Sequence, residues 1–287
     1  MFYPTLSPGA KQVYRGGSVA GTSRTLVIAA IVAIAVIVGG VAYWYAGGGG
    51  GEGKKILVVG TSPDFPPFEY IAKNGSVVGF DIELIRLVAK KAGYDDIEIR
   101  TMDFDALIPA LEQGQIDVIA AGMTITEERK QRVDFTIPYW QVDQAILVRA
   151  DSEFRPKSVE ELSGKTVGVQ TGTTAADYLN KIVEEKGLNI NIKEYSSYVL
   201  AVNDLIAGRI DAVMVDTPVA KMFEKQYKDK LVISAVIETG EKYGFAVRKG
   251  NTELLDKLNK ALEDIMNSPT WDELVQKYFG SEQLPYT

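Results

Sequence analysis

The stretch ALEQGQIDVIAAGMT, at residues 110–124, decides the fold, because a related stretch, NDLIAGRIDAVMVDT, follows at residues 203–217. Each copy reads as the end of a helix, then Gly-x-Ile-Asp, then an apolar strand with a polar end. The shared glycine is Gly114 in the first copy and Gly208 in the second, an offset of 94 residues. Solenoid units recur every 20–50 residues or so, and this similarity is too isolated for one. The repeat therefore predicts two related lobes.

Strands and helices alternate around both copies. Apolar runs rich in β-branched residues predict buried strands, and apolar residues at helical spacing predict helices. This alternation predicts an α/β fold with mostly parallel strands. The predicted strands are KILVVG (55–60), IEIRTM (97–102), IDVIAAG (116–122), KTVGVQ (165–170) and IDAVMVD (210–216). The predicted helices are FDIELIRLVAKKAG (80–93), DALIPALEQG (105–114), AADYLNKIVEEKG (175–187) and YVLAVNDLIAG (198–208).

The ends of the two repeated strands predict a cleft. In open α/β sheets, ligands bind outside the carboxyl ends of the strands, which here are Gly122–Thr124 and Val215–Thr217. If these ends face each other, a cleft lies between the lobes. Asp117 and Asp211 lie at the opposite, entering ends, where we expect turn and strand-start residues.

The segment GMTITEERKQR (122–132) follows the first strand end and carries the candidate cation. Thr126 is the expected N-cap of a short helix. Arg129 lies one turn into that helix, where an Arg beside exposed backbone N–H groups suits a carboxylate. The alternative is a surface ion pair. The neighbouring charges are expected on a solvated face: Glu127, Glu128, Lys130 and Arg132.

The second lobe supplies complementary groups. In VQTGTTAADY (169–178), Thr173 and Thr174 are placed to cap a helix and to donate hydrogen bonds to an anionic group. Asp216 ends the matching strand, where it could bind an ammonium, although Asp before Thr-Pro is also an ordinary turn residue. Together, Arg129 and Asp216 on facing strand ends match the charges of an α-amino acid.

Two aromatic residues are candidates for the walls of the cleft. Phe65 lies in the Pro-stiffened loop PDFPPFEY (63–70), and Phe104 lies in MDFDAL (102–107). Both sit where the aliphatic part of a ligand would be sandwiched, in a pocket that is mostly apolar. The alternative is that either ring only covers the core.

Composition excludes several classes of function. The 287 residues contain no Cys and no His, which excludes disulfide scaffolds, thiol catalysis, His metal sites and a Ser-His-Asp triad. The formal net charge is −7, and every acidic residue lies after residue 51. An acidic body argues against a nucleic acid as partner. We expect no cofactor and no metal.

The first fifty residues predict a membrane anchor. LVIAAIVAIAVIVGGVAYWYA (26–46) is nearly continuous apolar sequence, long enough for the roughly 30 Å core of a bilayer. We predict a cytoplasmic segment at 1–24, a transmembrane helix at 25–46 and a flexible Gly-rich linker at 47–53. The alternative is a cleaved secretory signal, for which Trp44, two residues before Ala46, makes a poor cleavage site.

The body resembles the polar amino acid family of solute-binding proteins, which deliver substrates to ATP-driven (ABC) importers. The resemblance covers essentially all of residues 54–287. The segments that carry it are GFDIELIRLVAKKA (79–92), FDALIPALEQGQIDVIAAGMTITEERKQRVDFTIPY (104–139), GKTVGVQTGTT (164–174), DTP (216–218) and WDELVQKYFG (271–280).

The resemblance implies a two-lobed, periplasmic-binding-protein-like (type II) α/β fold with two crossover strands that closes around one ligand. Lobe 1 would comprise residues 54–140 and 243–287, and lobe 2 residues 141–242. The implied α-carboxylate site falls on Arg129, Thr124, Thr173 and Thr174. The implied α-ammonium site falls on Asp216, Gly122 and Thr124. The implied side-chain walls fall on Phe65, Phe104, Ser62 and Gln170.

Two departures from the family pattern bear on the ligand. Relatives that bind basic amino acids usually carry a carboxylate where this chain has Ser62, and some glutamine binders carry Lys where it has Gln170. We therefore expect a neutral polar L-amino acid such as glutamine. The expected partners are the membrane subunits of an importer, and the protein is expected to be a monomer, anchored by one helix with its soluble body outside the cytoplasm.

Two other classes are less favoured. Dehydratases on this fold need a general acid in the cleft. The only cleft carboxylate that the sequence places is Asp216, which would be ionised against an ammonium, so we expect a binding protein and not an enzyme. A sensor's ligand-binding domain would need a signalling domain or more membrane spans than this sequence contains.

Overall fold

A computed structural model of the protein describes residues 54–280. The predicted segment 1–24, helix 25–46 and linker 47–53 lie outside the described residues, as do residues 281–287. Within residues 54–280, none of the helices has the length and apolar character needed to cross a bilayer.

Thirteen strands and eight α-helices form between residues 54 and 280. The strands are β1 (Ile56–Thr61), β2 (Asp64–Phe65), β3 (Glu69–Ile71), β4 (Val77–Val78), β5 (Asp96–Thr101), β6 (Val118–Ile119), β7 (Val133–Phe135), β8 (Trp140–Arg149), β9 (Thr166–Gln170), β10 (Asn191–Tyr195), β11 (Ala212–Asp216), β12 (Leu231–Tyr243) and β13 (Ala246–Arg248). The helices are α1 (Phe80–Lys91), α2 (Leu107–Glu112), α3 (Glu127–Arg132), α4 (Thr174–Lys186), α5 (Tyr198–Ile206), α6 (Thr217–Gln226), α7 (Thr252–Met266) and α8 (Pro269–Phe279).

These strands build two five-stranded sheets of related topology. The first sheet has the order β5-β1-β6-β13-β7, and the second has the order β10-β9-β11-β8-β12. In each, the first three strands are parallel and the last two run antiparallel to their neighbours. The five predicted strands all lie in the parallel halves, which also contain β10, a strand that the sequence analysis did not predict. The antiparallel strands lie outside the repeated motif, which is why the prediction of mostly parallel sheets is only partly right.

The repeated Gly-x-Ile-Asp motif has the same role in both sheets. The carboxylate of Asp117 accepts a hydrogen bond from the backbone N–H of Val58, at 2.9 Å. The carboxylate of Asp211 accepts one from the backbone N–H of Thr166, at 2.8 Å. Each Asp thus fastens the start of its own strand to the neighbouring parallel strand, as predicted for the entering ends.

The chain passes between the two sheets through strands that pair with each other. It enters the second sheet through β8 and leaves it through β12, and these strands are antiparallel, with Trp140 opposite Tyr243. The backbone N–H of Tyr139 bonds to the carbonyl of Tyr243, at 3.0 Å. Two paired connections permit a hinge but resist free rotation of one sheet against the other.

Helix α1 packs against the first sheet through its predicted apolar face, with Ile82, Ile85 and Ala89 buried. It starts after Gly79, whose φ of 140° is accessible to glycine and to few other residues. A Cβ on Gly79 would also lie 2.0 Å from the carbonyl oxygen of Phe68. Gly79 therefore allows the start of α1 to pack closely against the loop that carries Phe65.

Candidate functional site

One cavity between the two sheets brings together all ten residues that the sequence analysis selected. They are Ser62, Phe65, Phe104, Gly122, Thr124, Arg129, Gln170, Thr173, Thr174 and Asp216. Four further residues line the same cavity and were missed: Asp64, Glu69, Ala121 and Tyr198. The predicted set comes from both sheets, as expected if facing strand ends form a cleft.

Arg129 is the cation of this cavity. Thr126 caps α3 as predicted, because its hydroxyl oxygen accepts a hydrogen bond from the backbone N–H of Arg129, at 3.1 Å. The guanidinium donates to the carbonyl of Thr124 at 2.7 Å and to the carbonyl of Gly172 at 3.0 Å, and it lies 5.4 Å from the ring centroid of Phe104. Arg129 is only 8% exposed, so the alternative of a surface ion pair is wrong. A guanidinium has five N–H groups, and these two bonds leave donors for a carboxylate.

The start of α4 lies beside this cation. The hydroxyl of Thr173 accepts a hydrogen bond from the backbone N–H of Ala176, at 3.4 Å, and donates one to the carbonyl of Gln170, at 2.7 Å. Thr173 is thus the N-cap, and Thr174 is the first residue of the helix. A helix start presents backbone N–H groups and positive dipole charge, both of which favour an anion.

Asp216 is a carboxylate on the other side of the cavity, at the end of β11. It is 6% exposed and accepts hydrogen bonds from the side-chain amide of Gln144, at 2.6 Å, and from the hydroxyl of Tyr243. Burial, and then the nearby charge of Glu241, raise the pKa of Asp216 to about 7. A positively charged ligand group at this position would favour the ionised form.

A second buried carboxylate, Asp81, holds the backbone of Gly122 at the cavity. Asp81 accepts hydrogen bonds from the backbone N–H of Gly122, at 2.8 Å, and from the hydroxyl of Tyr139, at 2.6 Å. Burial raises the pKa of Asp81 to about 7. A Cβ on Gly122 would lie 2.7 Å from the ring of Phe65, so glycine allows that ring to reach the cavity. Phe65 packs in the hydrophobic core and also lines the cavity, so both interpretations of this ring, as a core residue and as a cavity wall, apply.

Two acidic residues that line the cavity, Asp64 and Glu69, were missed. Asp64 accepts hydrogen bonds from the hydroxyl of Ser62 at 3.0 Å, the amide of Gln170 at 3.0 Å and the backbone N–H of Tyr198 at 2.8 Å. Glu69 is 1% exposed, and its Oε2 atom has no hydrogen-bond partner within residues 54–280. Burial, followed by repulsion from Asp81, Asp64 and Asp216, raises the pKa of Glu69 well above its ordinary value.

The signal for these acids was present in the loop PDFPPFEY, from which only Phe65 was selected. The loop folds into the hairpin of β2 and β3, in which Asp64 pairs with Tyr70 and Phe65 with Glu69. Strands of two and three residues are too short to reveal which side chains share a face. Asp64 thus brings a carboxylate to the cavity two residues after Ser62.

Direct contacts join the two sheets around the cavity. Asp64, from the first sheet's side, bonds to Gln170 and to the backbone of Tyr198 on the second. Arg129 bonds to the carbonyl of Gly172, and the rings of Phe65 and Tyr198 lie 5.7 Å apart. The fold and this cavity define a two-lobed α/β binding protein, with one ligand site between its lobes.

The chain matches, over residues 57–281, the family of bacterial extracellular solute-binding proteins, family 3. It is 37% identical over 232 residues to the arginine-binding extracellular protein ArtP of Bacillus subtilis (strain 168), which covers 80% of this chain and 89% of that protein. The structure of an ancestral arginine-binding protein bound to arginine matches with a TM-score of 0.75 and 46% identity, over 79% of this chain and 99% of that one. An ancestral arginine-binding protein bound to glutamine matches with a TM-score of 0.74 and 45% identity, over the same shares.

This chain therefore belongs to family 3 of the bacterial extracellular solute-binding proteins, and its body has the two-lobed, type II periplasmic-binding-protein fold. The comparisons confirm the resemblance inferred from the sequence. They also confirm the prediction of a binding protein and not an enzyme.

Proposed function

We propose that the protein captures a free L-amino acid between its lobes and delivers it to an ABC importer. One observation carries the proposal: a buried cation, Arg129, and a buried carboxylate, Asp216, line one cavity from opposite sheets. An α-amino acid carries the complementary pair of charges. Its carboxylate would bind Arg129 and the start of α4, and its ammonium would bind Asp216. Calorimetric titration with each of the twenty amino acids tests the proposal, which fails if none of them binds.

We further propose that the ligand's side chain is cationic, with arginine ahead of glutamine. This revises the sequence-based expectation of a neutral ligand, which rested on Ser62. Once Arg129 and Asp216 are matched by the amino acid's own charges, two further acids still line the cavity: Glu69, which is buried, and Asp64, which is partly buried. A guanidinium satisfies carboxylates through several hydrogen bonds at once, and its charge would offset the burial and the repulsion that raise the pKa of Glu69. The arginine-binding relatives support the same choice.

Replacing Glu69 with Gln separates the two ligands. The change keeps the shape and removes a charge that only a cationic side chain needs. A hydrogen bond to a charged group contributes about 1.5–3 kcal/mol, so we expect the Kd for arginine to rise about tenfold to a hundredfold. The Kd for glutamine should stay within about threefold, since a neutral amide gains little from the charge. Isothermal titration calorimetry measures both.

Glu98→Gln is the matched control, because Glu98 lies on the exposed edge strand β5 and pairs with Arg100. It should change neither affinity. Tighter binding of glutamine than of arginine by the unmodified protein would contradict the choice of arginine. An equal rise in the Kd values for arginine and for glutamine in Glu69→Gln would show that Glu69 does not distinguish a charged ligand side chain from a neutral one.

We propose that residues 25–46 anchor the protein in the cell membrane as a single helix, with residues 47–53 as a flexible tether and the body on the outer side. The apolar sequence of residues 26–46 supports this, as does the location of every acidic residue after residue 51. We also propose that lobe 1 comprises residues 54–140 and 243–287, and lobe 2 residues 141–242. These boundaries fall within one residue of the ends of β8 and β12, the strands through which the chain enters and leaves the second sheet.

Deleting residues 1–53 tests the anchor. The full chain should sediment with membranes after an alkaline wash, whereas residues 54–287 should be recovered in the soluble fraction and still bind the amino acid. The reason is that the sheets and the cavity lie entirely beyond the tether. Mass spectrometry of the mature full chain serves as the control for cleavage. A mature protein that begins near residue 47 would show a secretory signal instead of an anchor.

A further inference from the structure

Glu241 is an acidic residue at the mouth of the cavity that the proposed function does not use. It lies on β12, one of the two strands that connect the sheets, and is partly buried. One carboxylate oxygen, Oε2, accepts hydrogen bonds from the hydroxyl of Thr124 at 2.9 Å and from the hydroxyl of Thr174 at 2.6 Å. The other oxygen, Oε1, accepts one from the amide of Gln144 at 3.0 Å. Glu241 thus bridges a residue of each lobe.

The local backbone fixes Glu241 in this position. The pairing of β8 and β12 shifts register between Ile237 and Glu241. Within the shift, the backbone N–H groups of Thr239 and Gly240 both donate to the carboxylate of Asp143, at 2.9 Å each. An irregularity of this kind in a β ladder redirects the side chains beside it. Gly240, with φ of 62°, allows the turn.

The two threonines that Glu241 holds also form the boundary of the ligand cavity. Thr124 and Thr174 line the inner cavity together with Arg129 and Asp216. The same two threonines, together with Glu241, line a second and more open cavity on the outside. Glu241 therefore closes over the inner cavity from its outer side.

A hydroxyl group has one hydrogen to donate. While Thr124 and Thr174 donate to Glu241, neither can donate to a ligand's carboxylate. The negative charge of Glu241 also acts on the two groups that would hold the ligand. It adds to the rise that burial causes in the pKa of Asp216, and it partly offsets the fall that burial causes in the pKa of Arg129. Glu241 thus makes, from within the chain, two of the contacts that the family resemblance assigns to the ligand.

We propose that Glu241 competes with the ligand's α-carboxylate for the hydroxyl groups of Thr124 and Thr174, so that it weakens amino acid binding and bridges the two lobes in part of the ligand-free population, which a ligand then closes completely. This proposal rests on the proposed function, because the competitor is an amino acid. On binding, both hydroxyl groups turn from Glu241 to the ligand. Glu241 therefore sets the affinity, and it does so equally for every amino acid, because all of them share the carboxylate.

Glu241→Gln tests the competition. The amide keeps the size of the side chain, removes its charge and places an NH₂ group where Gln144 now donates. One hydrogen bond to a charged group corresponds to about a tenfold change in affinity or more, so we expect the Kd values for arginine and for glutamine to fall by the same factor, about tenfold. Glu238→Gln, three residues earlier on the same strand, is the control and should leave both values unchanged. Unchanged or weaker binding in Glu241→Gln would overturn the proposal.

A second measurement does not depend on any ligand. Without ligand, the Glu241→Ala protein should have a larger radius of gyration by small-angle scattering than the unmodified protein, because the bridge between Thr124 and Thr174 is gone. Circular dichroism checks that the variant is folded. An equal radius of gyration would overturn the proposal. If the unmodified protein bound no amino acid, the proposed function would fail, and this scattering comparison would still decide whether Glu241 holds the lobes together.

Discussion

Replacing Arg129 with Ala, or Asp216 with Asn, is expected to raise the Kd for the amino acid by about thirtyfold to several thousandfold. Removing one partner of a buried charge pair typically costs about 2–5 kcal/mol, because the other charge is left buried and unmatched. Both residues are nearly inaccessible, so water cannot replace the lost partner. Isothermal titration calorimetry of the two variants measures the loss directly.

The controls lie close to each residue. Arg132→Ala removes a cation from the same helix as Arg129, but Arg132 is exposed and pairs with Glu112, so the Kd should stay within about twofold. Asp211→Asn removes an acid just before β11, the strand that ends at Asp216. It should lower stability more than affinity, because the carboxylate of Asp211 accepts a hydrogen bond from the backbone N–H of Thr166. Near-normal affinity in Arg129→Ala would contradict the assignment of the carboxylate site.

Asp216 offers a further readout that a merely structural residue would not give. Its pKa is raised to about 7, so part of the ligand-free protein carries a proton there at neutral pH. An ammonium beside it lowers that pKa, and binding at pH 7 should therefore release protons from Asp216. Affinity should fall as the pH is lowered below 7, because the ligand then competes with a proton. Asp216→Asn should abolish that contribution, which appears as a dependence of the binding heat on the buffer.

Five of the six strands in the parallel halves of the two sheets could be predicted from the sequence, together with the polar ends of the repeated strands; the exception is the edge strand β10. Long apolar runs and repeated Gly-x-Ile-Asp motifs report local structure directly, and they led to Arg129 and Asp216 through their positions at strand ends. Thr126 and Thr173 were recognisable as N-caps because a capping residue stands directly before the first residue of its helix in the sequence. The family resemblance then supplied Ser62, Gly122, Thr124 and Gln170.

The missed residues depend on contacts between distant parts of the chain. Glu69 reaches the cavity through a hairpin of very short strands, and Tyr198 through the docking of α5 against β2. The position of Glu241 depends on a shift of register in the pairing of β8 and β12, and the residue pattern of these strands does not predict that shift. The expectation of a neutral ligand rested on Ser62 and Gln170, and it did not take account of Asp64, a carboxylate two residues after Ser62 that also lines the cavity.

Closure of the lobes on the ligand is the second prediction with a large effect. A ligand that contacts both lobes binds the closed arrangement better than an open one, and it must shift the population towards closure. The contacts of Asp64 with Gln170 and of Arg129 with Gly172 show which surfaces meet when the lobes are together. The strands β8 and β12 provide the hinge. Ligand at 100 times Kd should also stabilise the fold by about 2.7 kcal/mol, since only the folded protein binds it.

The central claim is that one amino acid holds the two lobes together, which an importer could read as a loaded protein. Small-angle scattering of residues 54–287, with and without saturating arginine, tests it most directly. The account predicts a smaller radius of gyration with arginine bound, and no such change in Arg129→Ala at the same arginine concentration. A radius of gyration that stays the same when calorimetry shows the unmodified protein to be saturated would contradict the account, because the ligand would then be held without any closure.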